Sequence, residues 1–341
     1  MRVAIVNDMA LAREVLKRTV LSVPGYTVAW VAENGEQAIR QAGIDRPDAI
    51  LMDLVMPGVD GVEATRSIMS RNPCPILLVT GSVSGNFNKV FEAMGHGGLD
   101  AVNTPTMGAS GRIVDGESLI AKLEKIARGR KATPTMLAKN VLPATNLSTN
   151  PDALPPMIVI GASTGGPQAI AKIIGDLPAG YPGIVLIAQH IDADFAPNMA
   201  KWLQRHTALP VHAVTPDMEM IPGSIHLACT NDHMMMTANR RLDYSKEPAA
   251  YPYRPSVDVL FGSVCNHWPN PGIGVLLTGM GTDGAKGLLQ LRQAGWSTIA
   301  QDRGSCVVYG MPLAAAEMNA AAHILPLERI APMIQILSGR A

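Results

Sequence analysis

Along the first 130 residues, short apolar runs rich in Val and Ile alternate with amphipathic stretches of helical period. The runs Val3–Asn7, Thr27–Ala32, Ala49–Asp53, Ile76–Thr80 and Ala101–Asn103 are too short for helices and are predicted as strands. The segments between them are predicted as helices. The last of these, Glu117–Arg130, ends in a basic cluster. Such alternation implies right-handed βαβ units and a parallel sheet, placing the chain in the α/β class. From Lys131 to Pro156 the period is lost and Thr, Asn, Ser and Pro dominate, which predicts a linker, with Leu137 and Val141–Leu142 as possible docking points. At Met157 the pattern restarts with MIVIGAS, a helix, GIVLIAQH and a second helix. A hairpin pairing Gly223–Ala228 with His233–Thr237 is expected next. The run GIGVLLTGM, the helix Ala285–Ala294, a short strand and an Ala-rich C-terminal helix complete the chain. The reading is two α/β domains, residues 1–130 and 157–341, joined by a linker over 131–156; no repeat indicative of a solenoid is visible.

Composition narrows the class. A chain of 341 residues with 47% apolar and 16% charged residues can bury two cores of ordinary size. Formal net charge is zero, only 4% of residues are aromatic, and no basic stripe is present, which argues against a nucleic-acid partner. The opening segment is interrupted by Asn7, Asp8, Arg13 and Glu14, so it does not read as a signal peptide. No apolar run approaches the roughly 18 residues that a membrane span needs. Cys74, Cys229, Cys265 and Cys306 are scattered without a CxxC pair, as expected of free thiols in a reducing compartment. A cytoplasmic location without membrane insertion is therefore expected. The 19 methionines read as core fillers rather than a partner surface.

In an open parallel sheet, chemistry collects at the carboxyl ends of the strands. The first predicted strand ends in Asn7-Asp8, the third in Asp53 and the fourth in Thr80. Two carboxylates and a hydroxyl converging on one crevice suit a hard cation with oxygen ligands such as Mg²⁺. A carboxylate beside such a cation can attack a phosphoryl group. Individually, Asp53 could simply end a strand and Thr80 open a turn. The segment Leu51-Met52-Asp53-Leu54-Val55-Met56-Pro57-Gly58-Val59-Asp60-Gly61 resembles the phosphorylation loop of response-regulator receivers. That resemblance implies a flavodoxin-like five-stranded receiver, with Asp53 as phospho-acceptor and Thr80 as switch hydroxyl. It also implies metal ligation by Asp8, Asp53 and the carbonyl of Val55. Three positions depart from the family: Asn7 replaces a carboxylate, Thr104-Pro105 replaces Lys-Pro, and Ala101 replaces the aromatic switch residue. Losing the carboxylate weakens the expected metal site, and losing the lysine removes a charge-assisted contact to phosphate.

In the second half, Gly161-Ala162-Ser163-Thr164-Gly165 follows a buried strand and precedes a helix, the context of a G-x-S-x-G nucleophile turn. Pro167 suits the first helical turn. A phosphate loop is the rival reading, but neither glycine fingerprint of such loops occurs. A serine nucleophile needs a base, and the base needs an orienting carboxylate. His190 ends GIVLIAQH, His226 lies inside an apolar strand, and His233 is either a turn histidine or a rival base. Asp283 follows GIGVLLTGM, although capping the next helix is its plainer role. The order Ser…His…Asp differs from the α/β-hydrolase order, which excludes that superfamily but not the chemistry.

The motifs GASTGGP, AQH, RPSVDVLF (Arg254–Phe261), LLTGMGTDGAKG and SCVVYGMP (Ser305–Pro312) together resemble the catalytic domain of the chemotaxis protein-glutamate methylesterase family, CheB. With the receiver, the resemblance spans nearly the whole chain. It implies a doubly wound, mostly parallel esterase domain with a β-hairpin. It implies Ser163 as nucleophile, His190 as base, Asp283 as orienter, the Met280 backbone N–H as oxyanion donor, and Thr164 and Gly165 as site lining. Ser163 would attack a glutamate γ-methyl ester on a methyl-accepting chemoreceptor, or deamidate a glutamine, without a cofactor; Mg²⁺ belongs to the receiver. A CheA-type histidine kinase is the implied phosphodonor, and the receiver is expected to cover the cleft until phosphorylated. Arg303 departs from the family's usual glutamate. HGGLDAVNTP and the missing receiver lysine suggest the Wsp-type branch of chemosensory pathways. The competing reading is a non-catalytic phosphate sink or docking module with a vestigial esterase, which methanol release would discriminate.

Overall fold

The computed structural model describes residues 1–81, 85–108, 112–129, 154–191, 193, 195–249, 251 and 253–339. The chain divides into two compact units, Met1–Pro134 and Thr135–Ala341. The linker predicted over 131–156 lies almost wholly outside the described residues, as do Leu137 and Val141–Leu142.

In the first unit, β1 (Arg2–Val6), α1 (Ala10–Leu21), β2 (Thr27–Ala32), α2 (Gly35–Ile44), β3 (Ala49–Asp53), α3 (Gly61–Arg71), β4 (Ile76–Thr80), α4 (Phe87–Gly95) and β5 (Asp100–Asn103) alternate strictly. A small antiparallel pair follows, β6 (Thr106–Met107) with β7 (Ile113–Val114), and then α5 (Gly116–Gly129). The five main strands form a parallel sheet in the order β2-β1-β3-β4-β5. Every residue of β3 and β4 is buried, as expected of central strands covered on both faces. Polar residues set the helix starts: Asn34 accepts the Gln37 N–H, and Asp60 accepts those of Val62 and Glu63. The order of strands across the sheet reverses at β1, with β2 on one side and β3 on the other, so residues after β1 and β3 face one crevice.

The second unit comprises β8 (Met157–Ala162), α6 (Gly166–Gly175), β9 (Ile184–Gln189), α7 (Ala196–Leu203), β10 (Val211–Ala213), β11 (Met218–Glu219), β12 (Ser224–Leu227), β13 (His233–Met236) and β14 (Arg241–Ser245). It continues with α8 (Val257–His267), β15 (Ile273–Leu276), α9 (Ala285–Gln293), β16 (Ser297–Gln301), α10 (Met311–Glu317), β17 (His323–Leu325) and α11 (Leu327–Leu337). Seven strands form one parallel sheet, β10-β12-β9-β8-β15-β16-β17. On one face, Met157, Val159, Leu186 and Ala188 belong to the same buried cluster as Leu260, Phe261 and Val264 of α8. Their alternation along β8 and β9 follows from the two-residue period of a strand. Each such side chain contributes about 1.5–3 kcal/mol when fully buried.

The expected hairpin has different partners. β12 is flanked by parallel neighbours on both sides, β9 and β10, which leaves no edge for β13. β13 instead pairs with β14 in an antiparallel sheet that also contains β11. Thr237 and Arg241 close the turn, and Arg240 adopts φ 60°, as in a three-residue hairpin loop with a left-handed last residue. β15 ends at Leu276, so it is shorter than the apolar run that predicts it. β17 and α11 extend the domain beyond the Ala-rich helix. Among the described residues no helix is long and apolar enough to cross a membrane.

Candidate active site

The strand order of the second sheet also reverses at one strand: β9 lies on one side of β8 and β15 on the other. Ser163 follows β8 at this switch point, where open α/β sheets hold their ligands. Its N–H donates to the Thr278 carbonyl at 3.0 Å, and its carbonyl accepts the Gly166 N–H at 2.8 Å, closing the turn into α6. Gly165 adopts φ 77°, and a Cβ there would meet the Val307 side chain at 2.6–2.7 Å, so only glycine suits the turn. Thr164 accepts the Thr278 hydroxyl through its carbonyl at 2.9 Å. Buried Gln189 at the end of β9 donates its amide to the Ser163 carbonyl at 2.8 Å and the His190 carbonyl at 3.1 Å. Neighbouring strand ends thus carry Ser163 and His190, tied by one side chain that the sequence reading did not single out.

Beyond β15 the backbone turns back against the serine: a Cβ on Gly279 would lie 2.7 Å from the Ser163 Cβ. Met280 is the next residue and is half-buried. Asp283, 4% exposed, bonds His190 Nε2 through Oδ2 at 2.8 Å. His190 Nδ1 is buried and has no hydrogen-bond partner among the described residues. One imidazole nitrogen is therefore engaged by a carboxylate and the other is unclaimed, the division of labour a general base requires.

Asp283 does not cap the helix that follows it; α9 begins at Ala285 with Gly284 at its cap position and no side-chain cap. Its carboxylate sits instead on the N-terminus of α8. It accepts the N–H of Val257 at 2.7 Å, the N–H of Asp258 at 3.1 Å and the hydroxyl of Ser256 at 2.8 Å. Burial opposes ionisation, but the His190 bond and charge and these helix N–H groups outweigh it and hold Asp283 below the ordinary carboxylate value. Asp258 lacks that advantage: burial, with repulsion from Asp283, pushes it up to about 6 against the N–H groups of Gly287 and Gly284.

The rival histidines lie elsewhere. His233 accepts the Ser256 N–H through Nδ1 at 3.1 Å, with Nε2 3.3 Å from the Pro248 carbonyl, so it stands behind the carboxylate, and burial lowers its pKa. His226 Nε2 accepts the Ile221 N–H at 3.2 Å, and burial pushes its pKa down to about 4. Arg303 is exposed on the loop after β16, with its guanidinium 5.9 Å from the centre of the Tyr309 ring. In sequence, a serine before a helix reads first as a cap, which Ser256 also is: its Oγ accepts the Val259 N–H.

In the first unit, Asp53 is 7% exposed and accepts the Asn7 amide at 2.9 Å and the Val55 N–H at 3.3 Å. Burial pushes it up to about 6, with Asp8 adding repulsion and the N–H groups of Val55 and Leu54 opposing. Asp8 is exposed beside it. Thr80 accepts the Asn86 amide at 3.1 Å, and its carbonyl accepts the Thr104 N–H at 2.9 Å, which puts Thr104 at the mouth of this crevice. Nearby cations are engaged: Arg13 with the carbonyls of Asn7 and Asp8 and with Glu33, Lys89 with Asp60, and Lys122 with the Ala101 carbonyl and Asp100. Among the described residues no group of three His, Cys, Asp or Glu is arranged to hold a metal. The oxygen donors of Asp8, Asp53 and Val55 still fit a hard cation in kind, and a carboxylate pushed upward by burial is one that a cation would relieve.

A parallel sheet with a serine on a strand–turn–helix elbow beside a histidine–aspartate pair defines a centre of the serine-hydrolase class, here on the same chain as a response-regulator-type sheet. The CheB methylesterase family profile matches residues 158–334, and the response regulator receiver domain profile matches residues 3–107. The chain belongs to the CheB methylesterase family. It is 48% identical to protein-glutamate methylesterase/protein-glutamine glutaminase 4 of Burkholderia thailandensis, over 100% of this chain and 98% of that one. It is 46% identical to the enzyme numbered 3 with the same name from Pseudomonas aeruginosa, over 98% of both chains. The CheB methylesterase catalytic domain of Thermotoga maritima superposes with a TM-score of 0.52 at 31% identity, covering 54% of this chain and all of that domain.

Proposed function

We infer that this chain hydrolyses glutamate γ-methyl esters on methyl-accepting chemoreceptors, and deamidates glutamines there, through Ser163, His190 and Asp283. The observation that carries the reading is the His190–Asp283 bond beside the Ser163 elbow, in a chain whose relatives bear that activity in their names. Ser163 Oγ attacks the ester carbonyl as His190 Nδ1 takes its proton. Asp283 holds the imidazole in orientation and stabilises the charge it gains. The Met280 N–H and the elbow residues Thr164 and Gly165 border the developing oxyanion. The proton returns to the methoxy oxygen, methanol leaves, and water hydrolyses the glutamyl-enzyme by the same route.

In the receiver, Asp53 is the phosphoryl acceptor and Thr80 the hydroxyl that senses it. Asp8, Asp53 and the Val55 carbonyl would hold Mg²⁺, which when bound offsets the charge gathered around Asp53. A CheA-type kinase in the cytoplasm is the expected phosphodonor. Asn7, Ala101 and Thr104 predict a weak switch that restrains the esterase more than it releases it.

The test is methanol release from methyl-esterified chemoreceptor. Ser163→Ala should lose about 10⁶-fold in turnover while remaining folded. Wild-type release by that variant would sink Ser163 as the nucleophile, whereas no release by the intact chain would point to a docking module instead. Deleting residues 1–130 should raise the rate more than a phosphodonor with Mg²⁺ does; an unchanged rate after deletion would remove the restraint from the account.

A further inference from the structure

We propose that Tyr253 is a positioning residue for the base, favouring the imidazolium that forms on His190 during acyl transfer. The proposal rests on the reading of His190 as base. The rings of Tyr253 and His190 are stacked, with centroids 4.7 Å apart and planes within 2° of parallel. Tyr253 lies three residues before Ser256, the cap of the helix whose N-terminus receives Asp283. Another neighbour is the 279–283 turn: a Cβ on Gly281 would lie 2.4 Å from the phenol oxygen, and Gly281 adopts φ 86°. The base is thus fixed on one edge by Asp283 and on one face by Tyr253.

The two contacts respond differently to charge. Against a neutral imidazole, an aromatic face supplies packing; against a cation, its negative quadrupole adds electrostatic attraction. When the Ser163 proton moves to Nδ1, Oγ bonds the ester carbon and the carbonyl π pair moves to oxygen. The positive charge then created is spread over the ring on which Tyr253 lies. A contact stronger in that state than in the resting one accelerates the step that forms it. The hydroxyl of Tyr253 is not required for this role; the ring is.

The experiment uses the full chain with Tyr253 replaced by Phe and by phenylalanines of increasing ring fluorination, which weakens the quadrupole at nearly constant shape. Methanol release from methyl-esterified chemoreceptor is followed across the neutral pH range. The Phe form should stay within about threefold of wild type. Turnover should then fall stepwise with fluorination, by about tenfold at the end of the series. The acid limb of the kcat/KM profile should move to lower pH in step, and Tyr253→Leu should behave like the most fluorinated form. A flat series with an unmoved acid limb would overturn the proposal, whatever the fold of the Leu variant. His190→Ala is measured alongside: wild-type activity there would remove the base reading itself, whereas an inactive His190→Ala with a flat fluorine series removes only Tyr253.

Discussion

Two buried aspartates, one in each unit, are driven in opposite directions. Asp283 and Asp53 are similarly enclosed, at 4% and 7% exposed. Asp283 is held below the ordinary carboxylate value, while Asp53 is pushed up to about 6. The difference lies in the donors. Asp283 faces an imidazole, a hydroxyl and two N–H groups at a helix start; Asp53 faces a carboxamide and the backbone N–H groups of Val55 and Leu54, with another carboxylate and, among the described residues, no imidazole nearby. Burial penalises both charges, and the number and polarity of the groups aimed at each decide the outcome. The esterase carboxylate is complete within the protein. The receiver carboxylate has fewer such donors and a second carboxylate beside it.

The largest test of the comparison removes what Asp283 serves. His190→Ala should cost nearly as much as Ser163→Ala, approaching 10⁶-fold, with the double variant hardly worse. His233→Ala should lose less than about tenfold, because its ring touches the Ser256 backbone and not the reacting atoms. The reverse pattern in kcat/KM would hand the base role to His233.

Next in size is the carboxylate itself. Asp283→Asn should lower turnover by about 10⁴-fold, since the amide cannot hold the imidazole in the same tautomer. Ser256→Ala removes one donor from Asp283 and the cap of α8 together. It should destabilise the fold by about 1 kcal/mol, read from denaturant midpoints, and cost far less turnover than Asp283→Asn. Equal losses of turnover for the two variants would mean that Ser256 matters to the reaction directly.

The smallest effect falls in the receiver. An Asp53 raised to about 6 stabilises the fold fully below the unfolded carboxylate range, and that contribution is lost as pH rises through about 6. Carbon-13 titration of the Asp53 carboxyl should show a midpoint near 6 without metal, and Mg²⁺ should lower it. Asn7→Asp should raise the metal-free midpoint further and tighten Mg²⁺ binding. A midpoint near 4 in the metal-free wild type would break the contrast with Asp283.

Much of this frame is legible from hydrophobic pattern, because central parallel strands must be apolar on both faces. Thr27–Ala32, Ala49–Asp53 and Ile76–Thr80 coincide with the expected runs. The elbow serine was legible for a local reason: its glycines and Pro167 sit where the turn and helix need them. Strand partnership was not legible. Gly223–Ala228 and His233–Thr237 are separated by a hairpin-like interval, yet sheet neighbours claim both edges of β12. Asp283 illustrates the same limit at the site. Its sequence context suggests a cap for the following helix, and it does meet a helix start, but that of α8, whose first residue is Val257. Gln189 and Ser256 lie within the motifs AQH and RPSVDVLF, but the contacts they make across the fold to Ser163 and Asp283 are not readable from spacing along the chain.

The most direct test is covalent capture of the nucleophile. The full chain is treated with a fluorophosphonate, which phosphonylates an activated serine hydroxyl, and the adduct is located by mass spectrometry. A single adduct on Ser163 is predicted, formed much more slowly in His190→Ala and in Asp283→Asn. An adduct on another residue, or labelling of Ser163 at an unchanged rate in His190→Ala, would contradict the account.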